Sequence, residues 1–101
     1  MIHEEQVREA LREVVDPELG LDIVTLGLVY ELKVSGFGDV SIRLTLTTPG
    51  CPMEAVILSG IYQVLRRLEG LGRLDVALVW EPRWGPERIE AAGRKLLGLA
   101  G

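Results

Sequence analysis

Two runs of strict alternation flank the link Ser35-Gly36-Phe37-Gly38-Asp39. In the first, Leu28, Tyr30, Leu32 and Val34 alternate with Val29, Glu31 and Lys33; in the second, Val40, Ile42, Leu44 and Leu46 alternate with Ser41, Arg43 and Thr45. Period-two patterning places every second side chain on one face of a strand, and a five-residue Gly-containing link makes the two runs antiparallel neighbours. The chain is therefore expected to hold a β-hairpin with one core-facing side, which a hairpin cannot bury by itself. The link has neither the glycine spacing nor the Lys-Ser/Thr of a phosphate-binding loop and reads as a turn.

The cover for that face is written on either side of the hairpin. Val7, Ala10, Leu11 and Val14 recur at helical spacing, and Asp16-Pro17-Glu18 stops that helix because proline disfavours helical geometry in the residue before it. From Pro52 to about Glu69, Val56, Ile57, Ile61, Val64, Leu65 and Leu68 follow a helical period, with Gly70 and Gly72 as the stop. Leu74, Val76, Leu78 and Trp80 alternate with Asp75, Ala77 and Val79 as a third strand, which predicts Trp80 in the core. Ile89, Ala92, Leu96 and Leu97 form a last helix with Pro86 at its start. The expected class is α+β: a small open mixed sheet of about three strands covered by helices, in the order α-β-β-α-β-α. If the second and third strands are parallel neighbours, the long helix is a right-handed crossover between them.

One domain, 1–101, is the natural reading of a chain this long, which buries roughly 60 to 70% of its unfolded surface. Its 48% hydrophobic content and net charge of -4 belong to ordinary soluble proteins, and the acidic balance argues against a nucleic-acid partner. The apolar runs are too short to span a bilayer, and Met1-Ile2-His3-Glu4-Glu5 lacks the layout of a signal peptide, so a cytoplasmic protein without membrane association is expected.

Cys51 is the sole cysteine, in Thr47-Thr48-Pro49-Gly50-Cys51-Pro52, where the strand period gives way to the helical one. Pro52 suits the first helical position, which makes Cys51 the N-cap, and a helix start favours thiolate over thiol. The other reading is a small buried apolar residue. Glu54 stands at capping-box spacing from Cys51, and its charge would oppose the fall in thiol pKa. Thr47, like Thr45, projects opposite to the core face by strand parity, and Thr48 starts the turn; Thr47 and Thr48 either donate hydrogen bonds to a sulfur or bond their own backbone. Asp16 and Glu18 flank a proline, as carboxylates held at fixed spacing or as an Asx turn at Asp16. His3 is the only histidine and has no evident tie to Cys51, which leaves a Cys-His dyad little support. One cysteine forms no internal disulfide and supplies one of the four thiolates that a cluster or structural zinc commonly uses.

Asp16-Pro17-Glu18, Leu26-Gly27-Leu28-Val29-Tyr30, Thr45-Leu46-Thr47-Thr48-Pro49-Gly50-Cys51-Pro52 and Pro82-Arg83-Trp84 occur in one order over nearly the whole chain. In this the chain resembles the MIP18 family, also called domain of unknown function 59, and its SufT-like members. The resemblance implies a role in iron–sulfur protein maturation, with Cys51 as the functional thiol and Asp16, Glu18, Thr47 and Thr48 gathered around it. The PaaD-like members, linked to an aromatic-ring oxygenase system, share this domain and look to have an extra cysteine-bearing C-terminal segment; the expectation that this chain has none favours the SufT-like reading and keeps a PaaD-like accessory role as an alternative.

The leading reading is an adaptor or transient carrier that helps place iron–sulfur clusters on client proteins, without catalytic turnover. It binds no cofactor stably; Cys51 would be a transient metal ligand shared with a scaffold or client protein, and a homodimer would bring two such cysteines. The alternative is a thiol-dependent enzyme with Cys51 as nucleophile, although a resolving cysteine and a nearby base are missing. A third reading is an interaction module in which Cys51 only packs.

Overall fold

The alternation of residues 28–46 folds into the expected hairpin. β1 (Val29–Val34) and β2 (Val40–Leu44) pair antiparallel, with Leu32 opposite Ile42 and Val34 opposite Val40, and the register shifts once between Val29 and Glu31. The structure, a computed structural model, describes residues 2–47 and 53–98. Ahead of the hairpin stands α1 (Glu4–Leu11), whose acidic Glu4 and Glu5 in the first turn suit the helix dipole. The backbone N–H of His3 donates to Gln6 Oε1 at 2.9 Å, which ties down its entry. After the hairpin comes α2 (Met53–Leu65), then β3 (Leu74–Leu78), a 3-10 turn (Pro86–Arg88) and α3 (Ala91–Leu96).

β3 lies parallel to β2, Val40 opposite Leu74 and Leu44 opposite Leu78, so the sheet is mixed with the order β1-β2-β3. The second strand to emerge in the sequence is thus the central one. Its apolar residues Val40, Ile42 and Leu44 are buried while Ser41 and Arg43 face water. They join Val7 and Leu11 of α1 and Ile57, Ile61 and Leu65 of α2 in one apolar core. On the edge strand β3 the same parity leaves Leu74, Val76 and Leu78 only half-buried. The α+β class and the mixed three-stranded sheet are those read from the sequence.

The segment between α1 and β1 contributes more to the core than its loop character suggests. Ile23, Val24, Leu26 and Leu28 are all buried. Asp22 starts a single helical turn there: its Oδ2 accepts the N–H groups of Val24 at 3.1 Å and Thr25 at 2.9 Å, as an N-cap carboxylate does. The turn closes with Gly27 N–H on Val24 O and Leu28 N–H on Ile23 O, the paired bonds of a Schellman motif. Gly27 holds φ 73°, and a Cβ there would fall onto the carbonyl of Arg88, so Leu26-Gly27-Leu28 requires its glycine twice over. Arg12 reaches across from the end of α1 to Thr25 at 3.2 Å and Glu90 at 3.3 Å, linking three parts of the chain.

Four expectations are corrected. The last helix is broken: Ile89 is extended (φ −70°, ψ 133°) and Glu90 N–H donates to Thr25 O at 2.8 Å, so docking on the Thr25 turn overrides the helical period. Leu96 and Ala92 consequently face solvent while Ile89 is buried. Trp80 is 41% exposed and not in the core; β3 ends at Leu78, the N–H of Val79 bonds Leu44 O, and Trp80 runs past the end of β2. Thr45 is buried although parity placed it outward, because β2 ends at Leu44 and Thr45 N–H turns to Leu28 O at 2.9 Å. Val56 is exposed beside buried Ile57, since neighbouring helical positions lie about 100° apart and only one can face the core.

Candidate functional site

Parallel strands β2 and β3 end side by side, and the N-terminal end of antiparallel β1 meets them there. In open sheets, the crevice outside the carboxyl ends of parallel strands is the usual place for a ligand. Here that crevice is a cleft of about 280 Å³ lined by Thr45, Leu46 and Thr47 after β2 and by Trp80, Glu81, Arg83 and Trp84 after β3. Its volume is small for a cofactor pocket and suits a side chain or a short peptide edge.

The walls are fastened to the sheet by specific bonds. Trp84 is half-buried, and its Nε1–H donates to Leu26 O at 2.8 Å, anchoring the 80–84 segment to the Schellman turn. The Tyr30 hydroxyl donates to Pro82 O at 2.8 Å. The Arg88 guanidinium lies 4.6 Å from the centre of the Tyr30 ring, a cation–π contact that holds the 3-10 turn over the start of β1. The cleft is lined by indole surface, two threonines, a carboxylate and a guanidinium, a set able to pack against apolar groups and to hydrogen-bond polar ones. Among the described residues, no group of three or more His, Cys, Asp or Glu side chains is placed to hold a metal ion.

Of the residues singled out in the sequence, Thr47 is half-buried and lines this cleft. Thr48 and Cys51, with the N-cap and capping-box readings that involve Cys51, lie outside the described residues. Asp16 is buried, and its Oδ1 accepts the N–H groups of Glu18 at 2.8 Å and Leu19 at 3.3 Å. This is the Asx turn, closed further by Gly20 N–H on Asp16 O and Asp16 N–H on Leu21 O. The Glu18 side chain is exposed. The preceding residues Glu13, Val14 and Val15 share a groove with Ala55, Val56, Ser59 and Gly60 of α2, where Gly60 admits Val14. His3 is exposed at the start of α1, its backbone engaged in the cap.

Sequence reasoning placed Trp80 in the core and gave no site role to Glu81 or Trp84. The available signal was a tryptophan pair spaced by Glu81-Pro82-Arg83 just after a strand, an amphipathic stretch too polar for a core. Asp22 was also missed, and an aspartate three residues before a threonine at a turn is its mark.

Comparison with known proteins points in one direction. The chain is 38% identical over 95 residues to the Fe-S protein maturation auxiliary factor YitW of Bacillus subtilis, covering 94% of this chain and 93% of that one. It is 38% identical over 87 residues to the Fe-S protein maturation auxiliary factor SufT of Staphylococcus aureus, covering 86% and 99%. A crystal structure of a domain of unknown function 59 from Bacillus anthracis superposes with a TM-score of 0.90 at 37% identity, over 96% of this chain and 92% of the other. The family model described as iron-sulfur cluster assembly protein matches residues 4–77. The chain therefore belongs to the iron–sulfur cluster assembly protein family, that of domain of unknown function 59, as the resemblance of its motifs to the MIP18 family implied.

Proposed function

We propose that this protein is an auxiliary factor of iron–sulfur protein maturation, and that it works by presenting Cys51 to a cluster or to the protein that carries one. The observation that carries this reading is near end-to-end similarity to proteins named as maturation factors. A cleft near this segment supports the reading: Thr47, four residues before Cys51 in sequence, lines it at the carboxyl ends of two parallel strands. A single thiolate leaves the remaining ligands of a cluster to a client protein, a scaffold or small thiols, which makes the cluster cargo in transit. Thr47 and Thr48 would donate hydrogen bonds to sulfur during that transit, and Glu18 would present a carboxylate to the partner. Asp16 would shape the loop that holds Glu18. The cytoplasm as the place of work is part of the proposal; among the described residues no helix is long and apolar enough to cross a membrane.

The test is anaerobic. Purified protein is mixed with iron and sulfide, visible absorbance is followed, and transfer to an apo client is measured with and without scaffold, for the wild type and Cys51→Ala. Cys51-dependent binding or transfer is expected. Full client activation by Cys51→Ala would overturn the role of the thiol and leave a docking module. Pull-down from native cells should return iron–sulfur enzymes or their scaffolds.

A further inference from the structure

The sheet has two edges, and they are built differently. β1 carries the devices that keep an edge solitary: a register shift near Val29, the charged pair Lys33–Glu31 at 2.8 Å, and a Tyr30 side chain committed to Pro82. β3 carries none of them. Its sequence Leu-Asp-Val-Ala-Leu has one charge and no bulge or proline, and the core-facing Leu74, Val76 and Leu78 are half-exposed. Among the described residues no backbone or side-chain group bonds the edge of β3 that faces away from β2.

We propose that this edge pairs with the same edge of a second copy, giving a two-fold dimer with a continuous six-stranded sheet. The strand's own residues argue for a copy of itself as occupant. Antiparallel pairing centred on Val76 sets Leu74 opposite the partner's Leu78, Val76 opposite the partner's Val76, and Asp75 opposite the partner's Ala77. Apolar residues meet apolar ones on the core side, and the two aspartates miss each other. A shift of the centre to Asp75 would oppose the two carboxylates directly, and a shift to Ala77 would leave Leu74 beyond the partner strand, so only the register centred on Val76 both pairs the whole strand and avoids that repulsion.

The exposed face adds charge complementarity. Arg43 of β2 sits beside Ala77 of β3 in the parallel register. In the dimer, the partner's Asp75 would lie on the other side of Ala77. The two residues are then two strand spacings apart, about 10 Å between Cα atoms. In the single chain Arg43 lies 3.6 Å from Glu31 on the β1 side; the small side chain of Ala77 leaves the way open for it to turn to the partner's carboxylate instead, and symmetry makes the pair twice. Because the two β3 strands run in opposite directions, the clefts at their carboxyl ends point away from each other. Such a dimer presents two separate clefts.

Sedimentation velocity on the full chain, from low micromolar to near-millimolar concentration, reads the association, with circular dichroism as the folding control. Asp75 and Arg43 are exposed in the single chain, so their substitutions leave the core intact. A wild-type dimer is expected. Asp75→Arg and Arg43→Glu should each weaken it by about 2- to 30-fold, the range for two symmetric cross-strand charge pairs, and the double variant should regain affinity. A wild type monomeric throughout, a dimer indifferent to either single change, or a double variant weaker than both would overturn the proposal.

Discussion

Removing the Asp16 carboxylate tests whether this residue acts through the turn it builds. Asp16 is 1% exposed, and its Oδ1 takes two backbone N–H groups, Glu18 at 2.8 Å and Leu19 at 3.3 Å. A hydrogen bond to a charged acceptor contributes about 1.5–3 kcal/mol. The turn is partly open to water, so the short bond belongs in the lower half of that range, and the long one adds well under about 1 kcal/mol. Asp16→Ala is therefore expected to cost about 2–3 kcal/mol, a fall of about 10–20 °C in Tm for a chain of this length. Asp16→Asn keeps an Oδ1 acceptor without the charge and should lose only about 1 kcal/mol. Urea titration followed by circular dichroism gives both values from the shift in midpoint at constant slope. Cluster transfer to a client, measured well below the melting point, separates the roles: a positioning Asp16 predicts near wild-type transfer for Asp16→Asn. A loss below about 0.5 kcal/mol for Asp16→Ala would refute the turn argument, since surface changes alone reach that size.

Ile42→Ala, at the centre of the middle strand and fully buried, should destabilise by about 3–4 kcal/mol in the same urea assay. Trp84→Phe removes the Nε1–H bond and leaves Leu26 O without its donor; a cost of about 1–2 kcal/mol is expected, with weakened binding of any partner that uses the cleft. The side chain of Glu31 is held below the ordinary carboxylate range by the hydrogen bond and charge of Lys33, then by Arg43. Its contribution to stability is in place above the unfolded Glu value and is lost as pH falls through the lowered one. NMR titration should find it depressed and find Lys33→Gln moving it back up; no movement would remove Lys33 as the cause.

The elements that were legible are those whose burial follows their own period. Val40, Ile42 and Leu44 alternate in sequence and in burial because β2 has a neighbour on each side and a core beneath it. Trp80 and Thr45 broke the rule where strands run out: alternation in the letters continues past Leu78 and Leu44, but the ladder that enforces it does not. Ile89 and Glu90 were drawn into an extended link by Thr25, a contact 65 residues away from Glu90 that no local pattern announces. The Asx alternative at Asp16 was readable from Asp-Pro-Glu alone because its hydrogen bonds close within three residues. The cleft was not, since its two walls follow different strands and meet only through the parallel register.

That register also orders events in time. The hairpin link, residues 35–39, spans five residues, whereas residues 45–73 separate β2 from its parallel partner by twenty-nine. For flexible loops, closing the longer connection costs about 1.5 kcal/mol more entropy, so β1 and β2 can zip before β3 arrives. The pairing of β2 with β3 that frames the cleft is then expected to follow the hairpin. The cleft thus lies at the seam of the sheet that the longer of the two connections has to close.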